Sequence, residues 1–76
     1  MNYESDLVYI WIANDFELYQ EAMELKRQGV SSVSRWIDEE LLTYPPGTLS
    51  GLVLDLYRAA VARVDSRAVA IALCEE

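Results

Sequence analysis

Asn14-Asp15-Phe16-Glu17-Leu18-Tyr19-Gln20-Glu21-Ala22-Met23-Glu24-Leu25-Lys26-Arg27-Gln28-Gly29 carries the start and stop signals of one complete helix. Asn14 can cap its start, and Glu17, at the third helical position, can close a capping box. Lys26 and Arg27 stand in the last turn, where cations complement the helix dipole, and Gly29 follows where a left-handed C-cap is wanted. Between these ends Phe16, Tyr19 and Met23 share one face, with Leu18, Ala22 and Leu25 beside them. The spacing predicts an amphipathic helix running to about Gln28.

The flanking segments are punctuated in the same way. Upstream, Ser5 as a cap and Asp6 in the first turn predict a short helix carrying Leu7-Val8-Tyr9-Ile10-Trp11-Ile12. The β-branched residues there also suit a strand, but nothing later in the chain offers a strand to pair with. Downstream, Ser31 or Ser32 opens a third helix to about Thr43, with Val33, Trp36, Ile37 and Leu41 inward. Tyr44-Pro45-Pro46-Gly47 breaks the chain, because proline cannot continue a helix and restricts the residue before it. Thr48 then caps a fourth helix to about Val64, with Leu49, Leu52, Val53, Leu56, Ala60 and Val64 as its apolar stripe. Gly51 falls inside that helix at a cost of about 1 kcal/mol relative to Ala, for which close helix packing is one reason. Asp65 caps a last helix from Ser66 to about Cys74, with Val69, Ala70 and Leu73 inward. No repeat or linker appears. The expected fold is all-α: one domain, residues 1–76, built as a compact bundle of about five short helices.

Composition narrows the chemistry. The chain has 76 residues, 13 Asp and Glu, 6 Lys and Arg, and no His, for a formal net charge of -7. That excludes the usual basic nucleic-acid-binding surface and weighs against anionic membranes. Without His the commonest general acid/base is missing. The single cysteine, Cys74, permits no internal disulfide and no Cys/His zinc site, and reads as a small packing residue, with a reactive or dimerising thiol as the alternative. The apolar run Leu7 to Ala13, which no other run exceeds, is far short of the about 20 residues a membrane helix needs. Glu4 and Asp6 stand where a signal peptide carries Lys or Arg. The expectation is a soluble, non-exported protein with no cofactor and no enzymatic activity. A domain this small buries only about 60% of its unfolded surface, so a homodimer would help its stability.

The charge is unevenly placed. Residues 1–43 hold nine acids and three bases, a net of -6. Glu17, Glu21 and Glu24 recur at i, i+4 and i+7, one ridge with neighbours about 5–6 Å apart. Asp38-Glu39-Glu40 forms a second cluster on the third helix. Two such ridges side by side would flank a groove suited to a basic nucleic-acid channel. The same stripes also fit the ordinary solvated face of an amphipathic helix. Trp11 and Trp36 read as core. Tyr44, beside the Pro-Pro turn, fits either the rim of a contact surface or a ring packed over the turn.

The stretch Glu4-Ser5-Asp6-Leu7-Val8-Tyr9-Ile10-Trp11-Ile12-Ala13-Asn14-Asp15 resembles the opening of a family of small acidic proteins from phages and mobile elements. Members read Glu-Thr-Trp-Leu-Val-x-Leu-Trp-Leu-x-Asn-Asp, followed soon by a Tyr, here Tyr19. Arg35-Trp36-Ile37-Asp38-Glu39-Glu40-Leu41 is similar to the family's basic/Trp/acidic segment. Val64-Asp65-Ser66-Arg67-Ala68-Val69-Ala70 is similar to its late Val-Asp-Trp-x-x-Ile-Ala pattern. Asp6 and Ser66 stand where relatives carry Trp, and the Asn-Gly-Trp lead-in is missing. The resemblance implies a protein of the bacterial cytoplasm, in a setting where small acidic domains inhibit host defence as anti-CRISPR or anti-restriction proteins. The functional expectation is a non-enzymatic inhibitor that occupies the basic nucleic-acid-binding surface of a host defence complex and does not itself bind nucleic acid. Its contacts would be Glu17, Glu21, Glu24, Asp38, Glu39, Glu40 and Tyr44. The alternative is a helical adaptor or antitoxin-like module that binds protein through an apolar surface.

Overall fold

Asp15 makes the first corner of the fold alone. Its N–H donates to the carbonyls of Trp11 (3.1 Å) and Ile12 (3.3 Å), closing one helix, while its carboxylate accepts the Leu18 N–H at 3.0 Å and opens the next. The computed structural model describes residues 1–43 and 50–75. In these the chain forms five α-helices: α1 (Tyr3–Asn14), α2 (Phe16–Lys26), α3 (Val30–Trp36), α4 (Gly51–Ala62) and α5 (Ser66–Cys74). A π-helical segment, Ile37–Leu41, continues α3. The fold is all-α, a small bundle as the sequence predicts.

The caps differ in detail from the sequence reading. Asn2, not Ser5, caps α1, accepting the Ser5 N–H at 2.8 Å. Ser5 lies in the first turn and is fully buried. Asn14 is the last residue of α1 rather than the cap of α2, and its amide donates to the Ile10 carbonyl at 2.8 Å. Gly29 does adopt positive φ (+108°), but it leads straight into α3, which therefore starts at Val30 and not at Ser31 or Ser32. Asp65 caps α5 as expected, accepting the Ala68 N–H at 3.0 Å.

α5 sits at the centre, packed against α1, α2 and α3. Val69, Ala70 and Leu73 are fully buried there, against Ile12, Ala22, Val33, Trp36 and Ile37. Each large apolar side chain buried in this way contributes about 1.5–3 kcal/mol relative to exposure. Two polar side chains are buried with them, and both have partners. Ser5 Oγ accepts the Asp65 N–H at 2.8 Å, tying α1 to the start of α5. Ser66 Oγ donates to the Asp38 carboxylate, tying α5 to the π-helical segment.

Two parts of the chain depart from the expected bundle. The third helix widens at Ile37, where the Leu42 N–H bonds the Ile37 carbonyl at 3.0 Å, an i to i+5 bond. The larger departure is α4. None of its twelve residues is buried, and most of its expected stripe is exposed: Leu52 is 73% exposed, and Val53, Leu56 and Ala60 are exposed too, while Val64, past the helix end, is half-buried against the core. Gly51 is not in a helix interior against a neighbour. It is the first residue of α4, with φ +57° and nothing within 4 Å of where a Cβ would stand. The Cα radius of gyration, 12.4 Å, slightly exceeds the about 11 Å of a fully compact chain of this length. The Tyr44-Pro45-Pro46-Gly47 break, the Thr48 cap and Leu49 lie outside the described residues.

Candidate functional site

α4 is tethered at its C-terminal end, next to the start of α1. The Asn2 amide donates to the Arg63 carbonyl at 2.6 Å, and Arg63 Nε pairs with Glu4 Oε1 at 3.1 Å. The Glu4 carboxyl is held below its ordinary value by a backbone hydrogen bond and then by the Arg63 guanidinium. From this tether α4 runs alongside α1 and leaves a cleft of about 540 Å³. Leu7, Val8 and Trp11 form its α1 wall, Tyr57, Ala60, Val61 and Val64 form the opposite wall, and Leu41 and Leu42 close it. Among the described residues Glu4 is the one acidic group on its lining.

The cleft is the middle of a wider apolar surface. On α1, Tyr3, Leu7, Ile10 and Trp11 recur at i, i+4, i+7 and i+8 and are all exposed. The opposite face of the same helix supplies Ser5 and Ile12 to the interior. Trp11, read as core in the sequence, is 46% exposed, whereas Trp36 is core as expected at 5%. Phe16, at the start of α2, is also out in solvent, while Tyr19 and Met23 on its expected face are half-buried.

The acidic residues divide. Glu21, Glu39 and Glu40 line one shallow groove of about 270 Å³, together with Leu25, Gln28, Ser32, Arg35 and Trp36. The two expected ridges therefore do meet, through one residue of α2 and two of the π-helical segment, and Arg35 lines the same groove. Glu17 and Glu24 are exposed on α2 and do not line that groove. Asp38 is exposed but turned toward α5, where its carboxylate accepts the Ser66 hydroxyl. Tyr44 lies outside the described residues.

The sequence reading passes over the cleft residues, although a signal for them exists. α4 carries only Asp55 and Arg58 as charged side chains in twelve residues. A helix apolar almost all round needs burial on every side, and a 76-residue bundle has only one side to offer. Among the described residues no helix is long and apolar enough to cross a membrane. No family model matches the chain, and neither a curated protein nor a solved structure is significantly similar to it.

Proposed function

We propose that this protein is a non-enzymatic binding module that takes an apolar helix or segment of a partner protein into the cleft between α1 and α4. The cleft itself carries the reading: its walls are apolar side chains left open to solvent. The exposed apolar surface of α1 continues past it to Tyr3 and Ile10, more than a small ligand would cover. The resemblance of Glu4 to Asp15 to small acidic phage proteins supports the setting, a bacterial cytoplasm in which the partner belongs to a host defence complex.

A second reading keeps the acidic surface as the contact, docked on a basic nucleic-acid-binding surface. The convergence of Glu21, Glu39 and Glu40 on one groove favours it. Salt separates the two, because exposed charge contacts are screened within about 10 Å at 0.1 M salt while apolar burial is not. Wild type, L7S/W11S and E21K/E24K, each matched for helix content, are to be used to capture partners from bacterial lysate at low and moderate salt. Cleft binding predicts a partner retained at both salts by wild type and by E21K/E24K, and lost from L7S/W11S. Loss from E21K/E24K and at moderate salt, with L7S/W11S unaffected, would overturn it in favour of the acidic reading.

A further inference from the structure

The three residues that follow α4 are fixed one after another. The Arg63 carbonyl accepts the Asn2 amide at 2.6 Å, and Arg63 Nε pairs with Glu4 Oε1 at 3.1 Å. Val64 packs against the core. The Asp65 N–H donates to the hydroxyl oxygen of buried Ser5 at 2.8 Å. Asn2, Glu4 and Ser5 all belong to the start of α1, so residues 63–65 and the first turn of α1 form one clasp. Among the described residues no hydrogen bond or ion pair joins Gly51–Ala62 to another element. Beyond the clasp α4 is steadied only by half-buried Leu54, Tyr57 and Val61, and none of its residues is buried. Hydrogen bonds are directional and fix an angle, whereas apolar contact is non-directional and lets surfaces slide.

α1 begins at this clasp and α4 ends at it, so the two helices are the limbs of a V with the cleft between them. Trp11 on one limb and Tyr57 on the other both line the cleft, each about 10 Å from the apex along its own helix. α1 is anchored to the core by Ile12 as well as Ser5. We infer that α4 is a hinged jaw: it turns as one body about residues 63–65, and the cleft opens and closes with it. A turn of about 20° moves Leu52, about 16 Å from the pivot, by about 6 Å, and Ala62 by under about 1 Å. The gap between Trp11 and Tyr57 changes by about 3 Å, so these two rings stand where the cleft grips or releases what enters it. The hinge governs the cleft of the proposed binding reading but needs no occupant.

Residual dipolar couplings of the unsubstituted chain, without a partner, test the motion. The couplings of Gly51–Ala62 should fit one helix whose alignment is weaker than that of α1 and α5 together. Nitroxide pairs then locate the pivot, in a chain carrying Cys74→Ala. Asn14→Cys with Leu52→Cys spans the mouth of the V, and Tyr3→Cys with Ala62→Cys spans its apex; all four sites are exposed. The mouth pair should give a distance distribution at least about twice as broad as the apex pair, because displacement grows with distance from the pivot. Couplings of α4 that share the alignment of α1 and α5, or equal breadth at mouth and apex, would overturn the inference. Both measurements are made on the free chain, so their failure leaves the cleft reading standing, and failed capture of a partner leaves the hinge.

Discussion

Trp36→Ala should bring the domain close to unfolding, while Trp11→Ala should leave its stability nearly unchanged. The two residues are the only tryptophans in the chain, and both occur in apolar helical segments. Trp36 is 5% exposed and packs in the cluster that contains Val33, Ile37 and Leu73. Removing a buried indole costs about 3–5 kcal/mol, the lost transfer energy plus the cavity left behind. A domain of this size is stable by only about 4–11 kcal/mol. The expected reading in a thermal melt is a midpoint at least about 12 °C lower, or no cooperative transition. Trp11, half out in the cleft wall, should cost under about 1 kcal/mol, as surface changes do. Equal losses for the two variants would mean that the cleft is closed in solution and Trp11 is core after all. Since Trp36 is buried and Trp11 is not, quenching of the wild-type fluorescence by a polar quencher should also affect about one of the two rings.

Ser66→Ala should lower stability by about 1.5–3 kcal/mol, a large effect for the loss of one oxygen atom. Ser66 is 7% exposed and its hydroxyl donates to a carboxylate, and hydrogen bonds to charged groups are worth that range. Asp38→Ala should cost about 1–3 kcal/mol for the complementary reason, since it strands a buried hydroxyl. The double variant should then cost little more than either single one, leaving a coupling of at least about 1 kcal/mol in a urea-unfolding cycle. Additive losses would show that the two groups do not meet. Asp38 accordingly has a structural duty, holding the π-helical segment to the start of α5, in addition to any contact it makes with a partner.

This pair also shows what the sequence could not display. Asp38, Glu39 and Glu40 are adjacent and chemically alike, yet one faces Ser66 and the other two line the groove with Glu21. The spacing predicts a regular α-helix through Thr43, and the i to i+5 bond at Ile37 shifts the angular register of everything after it. No side-chain pattern announces that shift. At position 66 the chain places a small hydroxyl whose hydrogen-bond partner lies 28 positions earlier.

By itself the sequence determined the class of fold, because caps, breakers and helical spacing act over three or four residues and need no distant partner. Asp65 with Ser66–Cys74, the positive φ of Gly29 and the inward set Val33, Trp36, Ile37, Val69, Ala70 and Leu73 all follow from such local rules. The net charge of -7 was equally plain. Only the tertiary structure decided which apolar faces find cover. α1 and α4 are both apolar over most of their circumference, and helical periodicity says that such faces want burial without saying where it comes from. The small core formed around α5 accepts one face of α1 and none of the residues of α4 completely. What remains in solvent is Leu7 and Trp11 in the cleft wall and Leu52 and Leu56 outside it, with Tyr57 and Val61 only half-covered.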